Sequence, residues 1–269
     1  MTDSFWRDPP WRGGKGGYRM GLRPIDRRMW LAERISDAEL ARKRSLLDDS
    51  SSGVFAELPG SRAGQTKILD AVNQALGDTG SAAHRASPLV AATLRVPDDL
   101  CLMERAGDIY RLTAACVCAP SYWRLAEKIG RTLDGIHAPV PTLNEKLAPS
   151  MTQFFQRLPR AAIFERRNWL VHTNPALYQP HSEAWHDVTA DNVAQLIVRS
   201  ERQTLHRLDA DTVAFTIRVT CHPLTEIVGH SEAARDLLAA IESLDAAERA
   251  AKGHRYFAPA VSDYLRSVI

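Results

Sequence analysis

The chain has 269 residues, with 34 basic and 32 acidic side chains and 45% hydrophobic residues, an ordinary balance for a globular protein able to bury a substantial core. A net charge of +2 lacks the basic excess of a nucleic-acid-binding surface, so no nucleic-acid partner is expected. No apolar run approaches the ~18 residues of a membrane span, and "MTDSFWRDPPWRGGKGGYRMG" has no apolar signal core; a cytoplasmic protein without membrane contact is expected.

In chain order, residues 1–24 read as an extended arm whose Trp6, Trp11 and Tyr18 pack on the body, since disordered tails are poor in aromatics. Trp30, Leu31, Ile35 and Leu46 recur near helical spacing over 24–48, "DDSSSG" forms a loop, and a second helix over 64–77 stops at Gly77. A polar loop at 78–88 precedes "DLCLMERAGDIYRLTAACVCAP" (99–120), two strands turning at "RAGD". "SYWRLAEKIGRTLDG" (121–135) is a predicted helix capped by Ser121 and ended by Gly135, and 143–158 is helical with a break near Pro149. "AIFERRNWLVHT" (162–173) is a strand and 174–189 a loop. "LIVRSERQTLHRLDADTVAFTIRVT" (196–220) fits helical spacing as far as Leu208, but the "DADT" turn and the alternation favour a long hairpin. Helices close the chain from residue 231.

The four cysteines, Cys101, Cys116, Cys118 and Cys221, have no C-x-x-C spacing, so neither a zinc knuckle nor a disulfide framework is indicated. Cys116 and Cys118 alternate on one strand face and read as small buried hydrophobes.

The order hairpin, helices, three antiparallel strands predicts an α+β fold: a PAS-like sheet over 95–225, curled around a ligand pocket that helices close. The expected single domain comprises the arm (1–24), a helical part (25–94), this core and the C-terminal helices (226–269).

Three constellations carry chemistry. In "LDGIHAPVP" (133–141), His137 stands between Gly135 and Pro139, in a stretch whose prolines fix the backbone and preset where the imidazole points. Such placement suits a metal ligand; a capping or core histidine beside a rigid turn is the plainer alternative. In "RSERQTLHR", strand geometry puts Arg199, Glu201 and Gln203 on one face and Arg202 and His206 on the other. Charges in a core-forming hairpin need partners or an anion, unless the strand is a solvated edge with cross-strand ion pairs. In "RRNWLVH", Arg166, Asn168 and His172 share a strand with Trp169, which reads as core or as pocket wall. His181, Trp185 and His186 form a loop cluster with no strong metal spacing.

"YRMGL", "RRMWL", "PSYWRLAEKIGRTLDGIHAPVP", "RRNWLVH" and "RSERQTLHRL…FTIRV…PL", in this order over about 18–224, resemble the protein family that includes haem-dependent oxidative N-demethylase. The resemblance implies a haem-binding PAS-fold subunit that oxidises a small secondary amine, such as dimethylamine, to a primary amine and formaldehyde. It also implies electrons from a nicotinamide cofactor (NADPH) through flavin and iron–sulfur partner subunits, in keeping with a chain that has neither a G-x-G-x-x-G fingerprint nor a cluster-forming cysteine set. Haem iron needs an axial ligand, for which His137 is the first candidate and His172 the reserve. Arg199 or Arg202 is expected to meet a haem propionate, and Trp169 and His172 to line the cofactor. Glu201, the carboxylate of the "RSERQ" strand, is the candidate for holding a protonated amine; pairing with a neighbouring arginine is the alternative. Two positions depart from the family pattern: Asp209 stands where proline follows "RL", and "VHT" (171–173) where "IHD" is usual. A PAS-type sensor or binding protein without catalysis is the competing reading, and a haem-free assembly module a third.

Overall fold

The computed structural model describes residues 2–78, 87–139, 141–160, 162–182 and 188–269. Its first elements are α1 (Thr2–Arg7), β1 (Arg23–Ile25), α2 (Asp37–Asp48), β2 (Phe55–Glu57), α3 (Arg62–Leu76), α4 (Pro88–Thr93), β3 (Asp99–Ala106) and β4 (Ile109–Cys116). There follow α5 (Leu133–His137), α6 (Pro141–Arg157), β5 (Ile163–His172), β6 (Ile197–Arg207), β7 (Thr212–Pro223), α7 (Ser231–Glu242), α8 (Ala246–Ala251) and α9 (His254–Val268). Residues 79–86 of the expected polar loop, and Trp185 and His186 of the loop cluster, lie outside the described residues.

All seven strands form one antiparallel, open sheet in the order β1-β5-β6-β7-β3-β4-β2. The two hairpins, the strand between them and their side-chain alternation lie where the sequence places them. The helix expected over 24–48 is confined to α2, which starts with a capping box between Ser36 and Glu39; β1 and a short 3-10 turn precede it. Gly77 ends α3 in the left-handed conformation at φ 69°.

On one face of the sheet, α3 and α4 cover Leu100, Leu102 and Ala214, while α7 and α9 cover Trp169, Val171 and Val198. On the other, α5, α6 and the 119–130 segment cover Cys101, Met103, Leu205, Phe215 and Val213. Cys116 and Cys118 are buried together beside Val54. Among the described residues no helix is long and apolar enough to cross a membrane.

The predicted helix over 121–135 does not form. Only a 3-10 turn (Leu125–Glu127) and the five-residue α5 are helical there. Gly130 at φ 77° and Tyr122 at φ 63° interrupt the right-handed backbone, yet Trp123, Leu125, Ile129, Leu133 and Ile136 still enter one apolar cluster, which is why their spacing looked helical. Ser121 is therefore not a helix cap, and Gly135 lies inside α5 rather than ending it. Pro141 opens α6, a position where its missing N–H is harmless, instead of holding the chain extended, and α6 runs on through Pro149.

The N-terminal arm is less extended than expected, since it begins with α1. Its tryptophans insert deeply: Trp11 is fully buried, with Nε1 donating to Ala233 O at 2.9 Å, and Trp6 Nε1 donates to Glu226 Oε2 at 3.3 Å. The glycines of "GGKGG" let the arm lie against α7. A Cβ added at Gly16 would collide with the Ala240 carbonyl oxygen. Gly16→Ala is expected to destabilise the protein by about 1–3 kcal/mol, read as a melting temperature lower by several degrees; an unchanged value would show that the arm is not seated in solution.

Candidate functional site

The chemistry of the α5/α6 side of the sheet is organised by β6. Its register, with Asn168 opposite Glu201 and Arg199 opposite Leu170 and Cys221, directs Arg199, Glu201 and Gln203 to this side. Arg202 and His206 point to the other. Two predicted site residues are thereby separated from the rest. Trp169 is core, edge-on to Trp11 at 5.5 Å, and Arg202 ion-pairs with Glu165 and donates to Met29 O.

Arg199 is fully buried, and all its donors are engaged. Nε donates to Ser121 Oγ (2.9 Å), Nη1 to Ala176 O (3.1 Å) and Cys221 Sγ (3.9 Å), and Nη2 to the carbonyls of Ala119 (2.9 Å), Pro120 (3.2 Å) and Leu177 (2.8 Å). The guanidinium thus ties two loops to the sheet and has no edge left for a propionate. Ser121 passes the order on, donating to Glu201 Oε1 at 2.6 Å. Glu201 Oε2 accepts from Gln203 Nε2 (2.9 Å) and Asn168 Nδ2 (3.4 Å). Glu201, buried at 8% exposure, is thus hydrogen-bonded by neutral side chains, with the charges of Arg166 and Lys252 acting on it from further off.

The two candidate histidines differ in their surroundings. His172 is fully buried at the C-terminal end of β5, stacked on Tyr122 at 4.4 Å, and its Nδ1 donates to Gln179 Oε1 at 2.9 Å. His137 lies where the positive charge of Arg166, opposite Gln203 in the sheet, acts on it.

His137 is half-buried at the C-terminal end of α5. Its Nδ1 donates to Leu133 O at 2.9 Å, which leaves Nε2 as the lone-pair nitrogen of the neutral ring. Burial, reinforced by Arg166, pushes its pKa below the ordinary histidine value and so favours that neutral form. The helix carrying it is fixed by Lys128 Nζ on Ile136 O (2.6 Å) and Asn144 Nδ2 on Asp134 O (2.9 Å). A ring whose Nδ1–H is committed to a carbonyl and whose Nε2 is available is the arrangement a metal-ligating histidine adopts.

Residues 54–262 match a family model described as haem-dependent oxidative N-demethylase, alpha subunit-like. The chain belongs to that family. The match runs from the first residues before β2 into α9 and so covers all of the sheet except β1. No curated protein matches the chain. The family's description names haem, whose iron takes a neutral imidazole among its protein ligands, and the chemistry of the His137 ring fits that part.

Arg202 and Trp169 lie on the opposite side of the sheet from His137, Arg199 and Glu201, and Arg199 is a structural tie. Any anionic group bound on the α5/α6 side would need another cation. Arg166 is one: its Nε is buried without a hydrogen-bond partner. Its alternation with Asn168 along β5 was the available signal. The tie through Ser121 was hidden by the misread helix, and Lys252, which proves to approach Arg166 from the α8–α9 corner, has no motif around it.

Proposed function

We propose that this protein is the haem-binding subunit of an oxidative N-demethylase, oxidising a small secondary amine to a primary amine and formaldehyde with electrons from a separate reductase. The family match supports the reaction class, and the observation that carries the site is the His137 ring with Nδ1 bound to Leu133 and Nε2 available. The strand order β4-β3-β7-β6-β5 within the sheet supports the PAS-like reading, in which helices on one side of such a sheet close a ligand space.

His137 would hold the iron. Haem, when bound, would supply the redox chemistry by which dioxygen accepts two electrons from the N-methyl group and two from the reductase, one oxygen atom leaving in formaldehyde and the other as water. The chain's own residues supply the rest. Glu201 fixes the amine: Ser121, Asn168 and Gln203 orient its carboxylate, and a cationic substrate adds a charged donor in direct contact beside these neutral ones. The reductase is proposed as a partner carrying flavin and an iron–sulfur cluster and fed by NADPH. In this chain Cys101, Cys116 and Cys118 are buried, and among the described residues no three His, Cys, Asp or Glu converge to hold a metal ion.

The test is an absorption spectrum of the haem-loaded protein before and after adding secondary amines. A spin-state change with one amine, followed by formaldehyde release when reductant is supplied, supports the enzyme; a spectral change without turnover supports a sensor. Glu201→Gln keeps the shape and removes the charge. It is expected to weaken amine binding by about tenfold or more, the equivalent of one charged hydrogen bond, with the haem spectrum unaltered. Equal amine affinity in the variant would remove Glu201 from the site.

A further inference from the structure

A cluster of cations gathers at the edge of the sheet beside β5, and it includes Arg166 from the face just described. Where β1 stops, the edge of β5 from Arg166 to Trp169 is left uncovered by any strand, and the N-terminal arm and the α8–α9 corner close over it around a cleft of about 280 Å³. Seven lysine and arginine side chains line this cleft against the single carboxylate of Asp8. Asp8 is already shared: it accepts from Arg167 Nη1 at 3.0 Å and lies within 4 Å of Arg12 and Arg23. Arg23 and Arg167 also reach Glu165, at 3.0 and 3.4 Å. That leaves Lys15, Arg19, Arg166 and Lys252 without an ion pair among the described residues.

Two of these four are held inward. Arg166 keeps a buried Nε with no partner. Lys252 Nζ sits 4.8 Å above the Trp169 ring and 5.7 Å from the Tyr18 ring, so aromatic faces, not a carboxylate, hold its charge. An unpaired charge in such surroundings is unfavourable, and an anion would relieve it.

We propose that this cleft is an anion-binding site that takes a carboxylate or phosphate group, held by Arg166 and Lys252 from within and by Arg19 and Lys15 at the mouth. The volume suits a small dianion or the anionic end of a longer ligand rather than a whole nucleotide. Burial lowers the Lys252 pKa to about 8, opposed by the charges of Glu248 and Glu201 and reinforced by that of Arg166. A bound anion favours the protonated amine, so affinity should be full below pH 8 and decline above it, with proton uptake on binding. The site does not depend on the haem reading, because the cations converge whatever occupies the α5/α6 side of the sheet.

The experiment is calorimetric titration of the full, haem-free chain with inorganic phosphate and, separately, citrate at low ionic strength. The expected result is saturable binding that weakens about tenfold in Arg166→Gln and in Lys252→Met and declines above pH 8. Lys15→Ala/Arg19→Ala, at exposed positions, serves if either inner variant fails to fold, and should weaken binding and flatten its salt dependence. Absence of saturable binding at millimolar anion, or binding unchanged in the folded variants, overturns the proposal. Repeating the titration after haem loading separates two sources of carboxylate: retained binding assigns the cleft to a free anion, and competitive loss assigns it to the propionates of haem.

Discussion

Arg199→Leu is expected to lower the free energy of unfolding by about 3–5 kcal/mol, the range for removing one member of a buried, fully compensated polar cluster. The reason is geometric. The guanidinium is the common donor for the carbonyls of Ala119, Pro120, Ala176 and Leu177, and leucine leaves all four facing a buried apolar side chain. Two loops lose their tie to β6 at once. Thermal unfolding should show the loss as roughly 10 °C or more. Arg199→Lys, which keeps the charge but not the fork, should recover only part of it. A change below 1 kcal/mol in the leucine variant would mean that the loops are held by something other than this side chain.

His137→Ala should remove the native Soret spectrum of the haem-loaded protein, and added imidazole should restore part of it. Affinity for haem should fall by more than the ~10–100-fold that follows loss of a mere outer-sphere partner of a metal ligand. The fold should be little affected, because α5 is held by Lys128 and Asn144 rather than by the ring. His172→Ala provides the contrast. That ring is fully buried against Tyr122 and Gln179, so its loss should appear in the melting temperature while the spectrum stays native. The reverse pattern, a red His137→Ala with an unaltered spectrum and a colourless but folded His172→Ala, would transfer the ligand to β5.

The strands were the legible part of the sequence because a two-residue period leaves a mark that needs no distant partner. Thr212–Pro223 reads as a strand, and the "DADT" turn decides for a paired strand over Ile197–Arg207, whose period of two then separates Arg199 and Glu201 from Arg202 and His206. The 121–137 segment misled because its apolar residues converge on one cluster while Tyr122 and Gly130 turn the chain left-handed between them. Arg199 reads in sequence as a charge seeking an anion. Its true partners are main-chain carbonyls from residues about 80 and 22 positions away, and carbonyls carry no residue signature. His137 was legible as a residue held in place, although a short helix and a Leu133 carbonyl hold it, not a stiff run between prolines.

The seating of Trp6 and Trp11 has a consequence for how the molecule is made. Their hydrogen-bond partners, Glu226 and Ala233, lie 220 and 222 residues further along the chain. Trp6 and Trp11 must therefore wait, with two large aromatic surfaces uncovered, until some 220 further residues have been synthesised. Contacts of such long sequence separation form late and slowly. During that interval the arm is a natural point of attack for proteases and of association with other chains. The wall it contributes to the cationic cleft is accordingly completed only after α7 is in place.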